Sequence, residues 1–334
     1  MQKLSSVKLL LLIAILTVWG CHKDSPKPAP VTGTPGIEED CYDYVYTGGE
    51  VIEATTNTGA QYLYPFFNPL NGDEFVYLKT NGGYELIKHT ISTAQETVLC
   101  SSLYIVSQPQ WGAQGWIIFS TLDQTIWKIR DDGTQLTQIT ANGLEYHSPV
   151  FNSNGTKFIH FGTCFPPYLG VFNLDGIIVD SLKFQNAGIS FGRFGSFDEN
   201  FENGYSLYAN DLQTYVFGFC KLTANESVEI LNSFSFLDGE PTAACKNSQY
   251  IYYVQQMNGL FRLNIATHQV DKLMDNCQSK YIRSLSMSPD GQRLLFERVR
   301  GHQTVPGGGM IDEQSEIFLY DVNTGLETKV LWEE

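Results

Sequence analysis

The sequence predicts an all-β chain folded as a six-bladed β-propeller. Three observations predict it. An apolar, aromatic-rich segment ending in Tyr or Phe recurs six times, and its terminal aromatics are 42, 42, 47, 45 and 43 residues apart. That period is what four short strands per blade require. Polar turns precede these segments; Asn71-Gly72-Asp73, Asn154-Gly155 and Asp290-Gly291 are the clearest. Asn-Gly and Asp-Gly favour the positive φ that tight hairpins need. Aromatic residues make up 13% of the chain, with 18 Tyr and 21 Phe. Such side chains suit a pleated, half-buried surface.

The elements follow in chain order. Lys3 and Lys8 form a positive start, and Leu9 to Val18 is an apolar run broken only by Thr17. A membrane span needs about 20 residues, so this run has the length of a signal-peptide core. Val18-Trp19-Gly20-Cys21 then resembles the lipobox of bacterial lipoproteins, with Trp19 an unusual occupant of its middle position. The resemblance implies cleavage before Cys21, a diacylglycerol on its sulfur and an acylated amine. Each buried CH₂ adds about 0.8 kcal/mol, and more than one acyl chain is needed for stable anchoring. Residues 1–20 are thus read as a signal peptide. The expected location is the outer membrane, on either its periplasmic or its surface side.

Residues 21–40 are read as the lipidated Cys and a tether. Pro26, Pro28, Pro30, Gly33, Pro35 and Gly36 follow in quick succession. Pro and Gly at that density cannot continue a helix or a central strand. Tethers of this kind resemble those of lipoproteins in the Bacteroides group.

Residues 41–334 are read as one propeller domain. The recurring second strands are Phe75 to Tyr77, Trp116 to Phe119, Phe158 to Phe161, Tyr205 to Tyr208, Ile251 to Tyr253 and Leu294 to Phe296. Third strands follow at Glu85 to Ile87, Thr125 to Trp127, Leu169 to Phe172, Tyr215 to Phe217, Leu260-Phe261 and Glu316 to Phe318. Short fourth strands, such as Leu136 to Thr140 and Thr328 to Trp332, close each unit. A single four-stranded unit cannot bury both faces; blades packed around an axis can. A two-sheet sandwich also has evenly spaced strands, but it does not explain a period near 43 with repeated turn chemistry. A seventh blade would need a hidden unit in residues 41–60, which could instead supply one strand that closes the ring.

Ser288-Pro289-Asp290-Gly291-Gln292-Arg293-Leu294-Leu295-Phe296 resembles the Ser-Pro-Asp-Gly-Lys motif of the WD-like repeats in TolB-type propellers. Gln110-Trp111 with Ile117 to Phe119 resembles a second copy, and Tyr146 to Gly155 a third. The resemblance covers roughly residues 60–332. In blades 1, 4 and 5 only the strand rhythm survives. It implies a TolB-like fold and a role in the cell envelope.

Charge excludes one class of partner. Lys3 and Lys8 leave with the leader, so the mature chain carries 21 − 2 = 19 basic and 36 acidic residues, a net of −17. Nucleic-acid binding needs clustered positive charge, and no basic run is present. A soluble monomeric domain without cofactor is expected.

Catalytic patterns are weak. Gly188-Ile189-Ser190-Phe191-Gly192 matches Gly-x-Ser-x-Gly, but a nucleophile elbow needs strand, sharp turn and helix. The flanks here read as strand and loop. The six His residues form no His-x-His or His-x-x-x-His pair, and no metal site is expected. Asp131, Asp132, Asp175 and Asp290 sit in turns, where they bond their own backbone. Besides Cys21, six cysteines remain: Cys41, Cys100, Cys164, Cys220, Cys245 and Cys277. They allow fifteen pairings, and none is assigned.

In a propeller the fourth-to-first loops share a face with the second-to-third loops. Blade 6 has a long step from Phe296 to Phe318, carrying Arg300, His302, three glycines, Asp312 and Glu313. Long loops are often functional. Tyr146, His147, Glu240, Tyr281 and Arg283 precede first strands. Together with His302 they mark the candidate binding face. The leading expectation is a non-enzymatic scaffold for protein, peptide or glycan in the envelope. The alternative is a carbohydrate-active enzyme using carboxylates in the channel, for which two facing carboxyl groups are required.

Overall fold

Four strands recur six times, and each set forms its own sheet. The computed structural model describes residues 54–57, 59–141, 147–161, 168–183, 189–210, 216–223, 227–234, 241–255, 258–277, 280–303 and 310–331. Contacts divide the chain into Met1–Asp40 and Cys41–Glu334, and every described residue lies in the second unit. The leader, Cys21 and the tether lie outside the described residues.

A short strand β1 (Ala54–Asn57) comes first. Blade 1 is β2 (Gln61–Phe67), β3 (Glu74–Thr80), β4 (Tyr84–Thr90) and β5 (Gln95–Cys100). Blade 2 is β6 (Gln110–Trp111), β7 (Trp116–Ser120), β8 (Ile126–Arg130) and β9 (Thr137–Gln138). Blade 3 is β10 (His147–Phe151), β11 (Lys157–Phe161), β12 (Tyr168–Asn173) and β13 (Ile178–Lys183). Blade 4 is β14 (Ile189–Phe197), β15 (Gly204–Asn210), β16 (Val216–Leu222) and β17 (Val228–Ile230). Blade 5 is β18 (Pro241–Lys246), β19 (Tyr250–Gln255), β20 (Gly259–Asn264) and β21 (Val270–Met274). Blade 6 is β22 (Lys280–Met287), β23 (Arg293–Gln303), β24 (Met310–Asp321) and β25 (Glu327–Leu331). Within each blade, successive strands pair antiparallel in sequence order.

The second strands show why the blades need one another. Phe75, Val76, Tyr77 and Leu78 are all buried. Side chains alternate across a strand, so this unbroken apolar run must be covered on both faces. Phe75 and Tyr77 pack with Leu295 and Ile317 of blade 6. Val76 and Leu78 pack with Ile117, Phe119 and Ile129 of blade 2. The same division repeats around the molecule, giving six apolar clusters, one for each pair of neighbouring blades. That is the core of a six-bladed β-propeller.

The turns between first and second strands form another ring of contacts. Asn247 Nδ2 in blade 5 donates to Gly291 O of the blade 6 turn at 3.1 Å. Arg293 of blade 6 donates to Gly72 O of the blade 1 turn at 2.9 Å. Gly155 has φ +69° and lies against Gly112 and Ala113 of blade 2. The positive-φ glycine therefore serves the hairpin and the neighbouring blade at once.

Blade 1 packs against blade 6. The Phe67 amide donates to Ser286 Oγ at 2.9 Å, and the Ser315 amide to Gln61 Oε1 at 2.6 Å. Strand β1 pairs parallel with β24, Ala54 to Met310 through Asn57 to Glu313. Residues 54–57 thus add a strand to blade 6 rather than founding a seventh blade.

Two local readings change, and the strand reading around Ser190 holds. The long step in blade 6 is mostly strand: β23 runs to Gln303 and β24 begins at Met310. Arg300, His302, Asp312 and Glu313 stand on this ribbon, not in a loop. Tyr281 and Arg283 lie inside β22 rather than before it. Ile189 to Gly192 belong to strand β14, so Ser190 occupies extended chain and no elbow. Cys100, Cys220 and Cys245 are buried free thiols. Burial pushes the Cys220 thiol up to about 12, which suppresses the reactive thiolate. Cys277 is disulfide-bonded, and its partner lies outside the described residues.

Candidate functional site

The first strand of each blade is the one nearest the axis. In blades 1, 3, 4, 5 and 6 its pairing shifts register, between Leu63 and Phe66, His147 and Pro149, Phe191 and Gly195, Pro241 and Ala243, and Ile282 and Ser284. Such bulges bend a strand and re-aim its side chains. Two carry non-glycine residues at positive φ, Tyr64 at 54° and Ser148 at 45°. Conformations of this kind persist only where the surroundings enforce them.

The bulges surround a cavity of about 120 Å³ with lining residues from all six blades. Blade 2 reaches it through an irregular segment. Residues 104 to 111 alternate between outward and buried positions, with Ile105, Ser107 and Trp111 buried. Val106, Ser107, Gln108 and Gln110 line the cavity. Gln108 is tied down: its Nε2 donates to Pro65 O at 2.7 Å and Leu285 O at 3.0 Å. It joins blades 1, 2 and 6 at the axis. Gln110, Ser148 and Thr242 also line the cavity. Among the described residues their side chains make no hydrogen bond.

Blade 6 supplies the charge. Arg283 lines the cavity, with Nη1 3.3 Å from Glu297 and Nη2 3.7 Å from Glu313. Nη2 also donates to the Tyr281 hydroxyl at 3.1 Å. Burial opposes the charge on Arg283, but Glu297 and Tyr281 more than offset this and raise its pKa. Glu297 is fully buried. It accepts from the Tyr64 amide at 3.1 Å, Ser315 Oγ at 3.0 Å and Ser284 Oγ at 3.3 Å. Burial pushes its carboxyl up, while Arg283 and these donors pull it back. Every named neighbour donates, so the group acts as the carboxylate counter-ion of Arg283. Enclosed this way, it braces the channel wall and cannot reach a ligand.

Two tyrosines from blades 1 and 2 pack together. Tyr104 is 49% exposed. Its ring lies against Tyr84, with centroids 4.0 Å apart. Tyr84 is pushed up to about 12 by burial, by its hydrogen bond to Tyr104 and by nearby Tyr104 and Tyr64. Tyr64 lines the cavity.

Tyr281 and Arg283, both marked in the sequence, are brought together here with Glu313. His147 begins β10 and His302 lies in β23; their side chains, and all of Tyr146 and Glu240, fall outside the described residues. Sequence reasoning missed Tyr64, Gln108, Gln110, Ser148 and Thr242, which neither a motif nor the strand rhythm marks as facing the axis. Among the described residues, no three His, Cys, Asp or Glu side chains converge as a metal site.

A closed ring of six four-stranded blades around a polar axial cavity defines a β-propeller of TolB-like fold. No family model matches the chain, and no curated protein matches its sequence. Solved structures do match. A putative TolB from Agrobacterium tumefaciens superposes with a TM-score of 0.56 at 11% identity, over 74% of this chain and 88% of that one. The nidogen/laminin complex gives 0.54 at 13%, over 76% and 92%. An oligogalacturonate lyase from Vibrio parahaemolyticus gives 0.50 at 12%, over 78% and 90%. These likenesses establish the fold. Proteins named for binding and for catalysis share it, so function rests on the site.

Proposed function

We propose that this protein is an envelope lipoprotein, anchored through lipid on Cys21, whose propeller binds a ligand at the mouth of its central channel. One observation carries the binding reading. All six blades converge on a cavity whose lining combines Arg283, Tyr64 and the neutral hydrogen-bonding side chains of Gln110, Ser148 and Thr242. Concave sites with a few convergent polar groups are the usual form of ligand pockets. The reading is of a scaffold rather than an enzyme. Glu297 and Glu313 are the carboxylates that share Arg283, and the first is sealed in the wall. General acid–base work needs groups within hydrogen-bond reach of the substrate. Anchoring rests on the leader and on the Val18-Trp19-Gly20-Cys21 sequence.

Thr242 is exposed at the cavity edge, so Thr242→Trp puts a large ring in the opening without touching a blade core. The test is a thermal-shift and calorimetric panel of oligosaccharides and envelope-derived peptides. Binding by the wild type and loss of it in Thr242→Trp is the expected result. Equal binding by the two proteins would place the site elsewhere.

A further inference from the structure

The seam between blades 1 and 6 differs from the other five in how the chain crosses it. Elsewhere a fourth strand leads straight into the next blade's first strand, whereas here β1 returns to pair with β24. We infer that this seam is a gate with Gln108 as its latch: blades 1 and 6 part there in one cooperative event, while β2 to β25 keep their pairings within the blades. The event needs no ligand, so it goes beyond the binding reading and stands apart from it.

The latch is one side-chain amide. Gln108 Nε2 donates to Pro65 O of blade 1 at 2.7 Å and to Leu285 O of blade 6 at 3.0 Å. A glutamine amide nitrogen carries two hydrogens, and here each goes to a different bank of the seam. Gln108 belongs to neither bank, because it leads into β6 of blade 2. It bridges the seam from a third blade. Tyr64 and Arg283 stand on the two banks and both line the cavity, so the latch also sets the width of the site.

The blade 1 bank is strained. Tyr64 sits in its bulge at φ +54°. Residue 65 is proline, which pushes the residue before it toward extended backbone. A non-glycine residue stays in the left-handed region only where its surroundings enforce it. Two of the enforcing contacts come from other blades: Glu297 accepts from the Tyr64 amide at 3.1 Å, and Gln108 donates to Pro65 O. Once both let go, the bulge can relax, which favours the open form.

Three backbone amides report the event, because their acceptors are side chains on the opposite bank. The Tyr64 amide donates to Glu297, the Phe67 amide to Ser286 Oγ at 2.9 Å and the Ser315 amide to Gln61 Oε1 at 2.6 Å. Parting of the blades breaks all three at once, whereas local fraying breaks them one by one. Strands β11, β15 and β19 pair within their own blades, so they keep their partners when the seam opens. Proteins open below the global transition in contiguous units of this kind.

The test is residue-resolved hydrogen exchange on the full-length protein, under conditions where the rate reports the opening equilibrium. In the wild type the Tyr64, Phe67 and Ser315 amides are expected to share one opening constant, about tenfold or more above that of β11, β15 and β19. Gln108→Ala should raise the shared constant about tenfold, the effect of losing two ordinary hydrogen bonds. Asn152→Ala is the control. It removes the hydrogen bond from Asn152 Nδ2 to Glu199 O, 2.7 Å long, between blades 3 and 4. That bond survives in the open form, so the variant should lower Tm yet leave the shared constant unchanged. Three different constants in the wild type, or one equal to that of β11, β15 and β19, overturn the gate. An unchanged constant in Gln108→Ala, or an equal rise in Asn152→Ala, overturns the latch. Should Gln108→Ala fail to fold, Gln108→Met keeps the volume and loses the same two bonds, and the wild-type pattern decides on the gate by itself.

Discussion

At Glu297, burial and pairing pull against each other. A fully buried carboxylate is costly unless its partners are complete. Here Arg283, the Tyr64 amide and two serine hydroxyls supply them. Glu297→Ala leaves the arginine and the Tyr64 amide without their acceptor, and the expected loss is about 3–5 kcal/mol. Glu297→Gln keeps volume and one acceptor and should lose less. Urea unfolding at constant slope measures both; a loss below about 1 kcal/mol for the alanine would show the cluster to be dispensable. His89 makes the opposite case. It is nearly fully buried, its ring 4.9 Å from Phe75. Burial lowers its pKa below the ordinary imidazole value, with Glu96, at 3.6 Å from Nδ1, and Asp73 pulling back. The unfolded chain then takes up a proton before the folded one does, so stability falls as pH drops below the ordinary imidazole range. In His89→Phe this component disappears. The difference in Tm between wild type and variant should therefore shift between about pH 7.5 and 5 in that direction, and a pH-independent difference would rule out the linkage.

At the scale of the element, the hairpin turns do more than reverse the chain. A Cβ on Gly155 would sit 2.6 Å from the Ala113 amide nitrogen and 2.9 Å from Gly112 Cα, both backbone atoms of the preceding blade. Gly82 has a similar φ of +74° but nothing within 4 Å. Gly82→Ala should cost only the left-handed backbone penalty, about 1–2 kcal/mol. Gly155→Ala should cost clearly more, because neighbouring backbone must move. Thermal unfolding of the two variants side by side separates turn strain from blade contact, and equal losses would mean that the contact carries no energy. These turns were also what the sequence showed best. Asn154-Gly155 and Asp290-Gly291 carry their conformation in their own chemistry, and the second strands between them are apolar on both faces, so the rhythm of six blades is local information. The mouth is not. Tyr64 and Ser148 reach it through register shifts that packing between blades imposes, and Gln108 enters from a segment with almost no strand. The sequence places Arg283 just ahead of a first strand, whereas it lies within β22; nothing in the sequence tells that its partner is Glu297, fourteen positions on and across a hairpin.

For the whole molecule, location and binding are separable. The proposed anchor sits at Cys21, and the propeller core draws on residues 60 onward. Cys21→Ser should leave thermal stability of the propeller unchanged while moving the protein from the membrane to the soluble fraction. One or two acyl chains supply the anchoring energy, so a salt wash should not mimic the substitution. A Cys21→Ser protein that still pellets at high salt would refute the lipid anchor.

Each blade is an unbroken run of chain, from β2–β5 to β22–β25. Among the described residues, the four of β1 are the ones that join a blade from the far end of the run. The circle is thus fastened at one clasp, made of the β1–β24 pairing, the Tyr62–Leu295 apolar cluster and the hydrogen bonds joining Gln61, Tyr64 and Phe67 to blade 6. At every other junction the chain runs directly from one blade's fourth strand to the next blade's first; here four residues of β1 reach back instead. Under load the toroid should part there first, β1 peeling from β24, and spread like a split washer, and the cavity, which borrows Tyr64 from one side of the clasp and Arg283 from the other, would be the first feature lost.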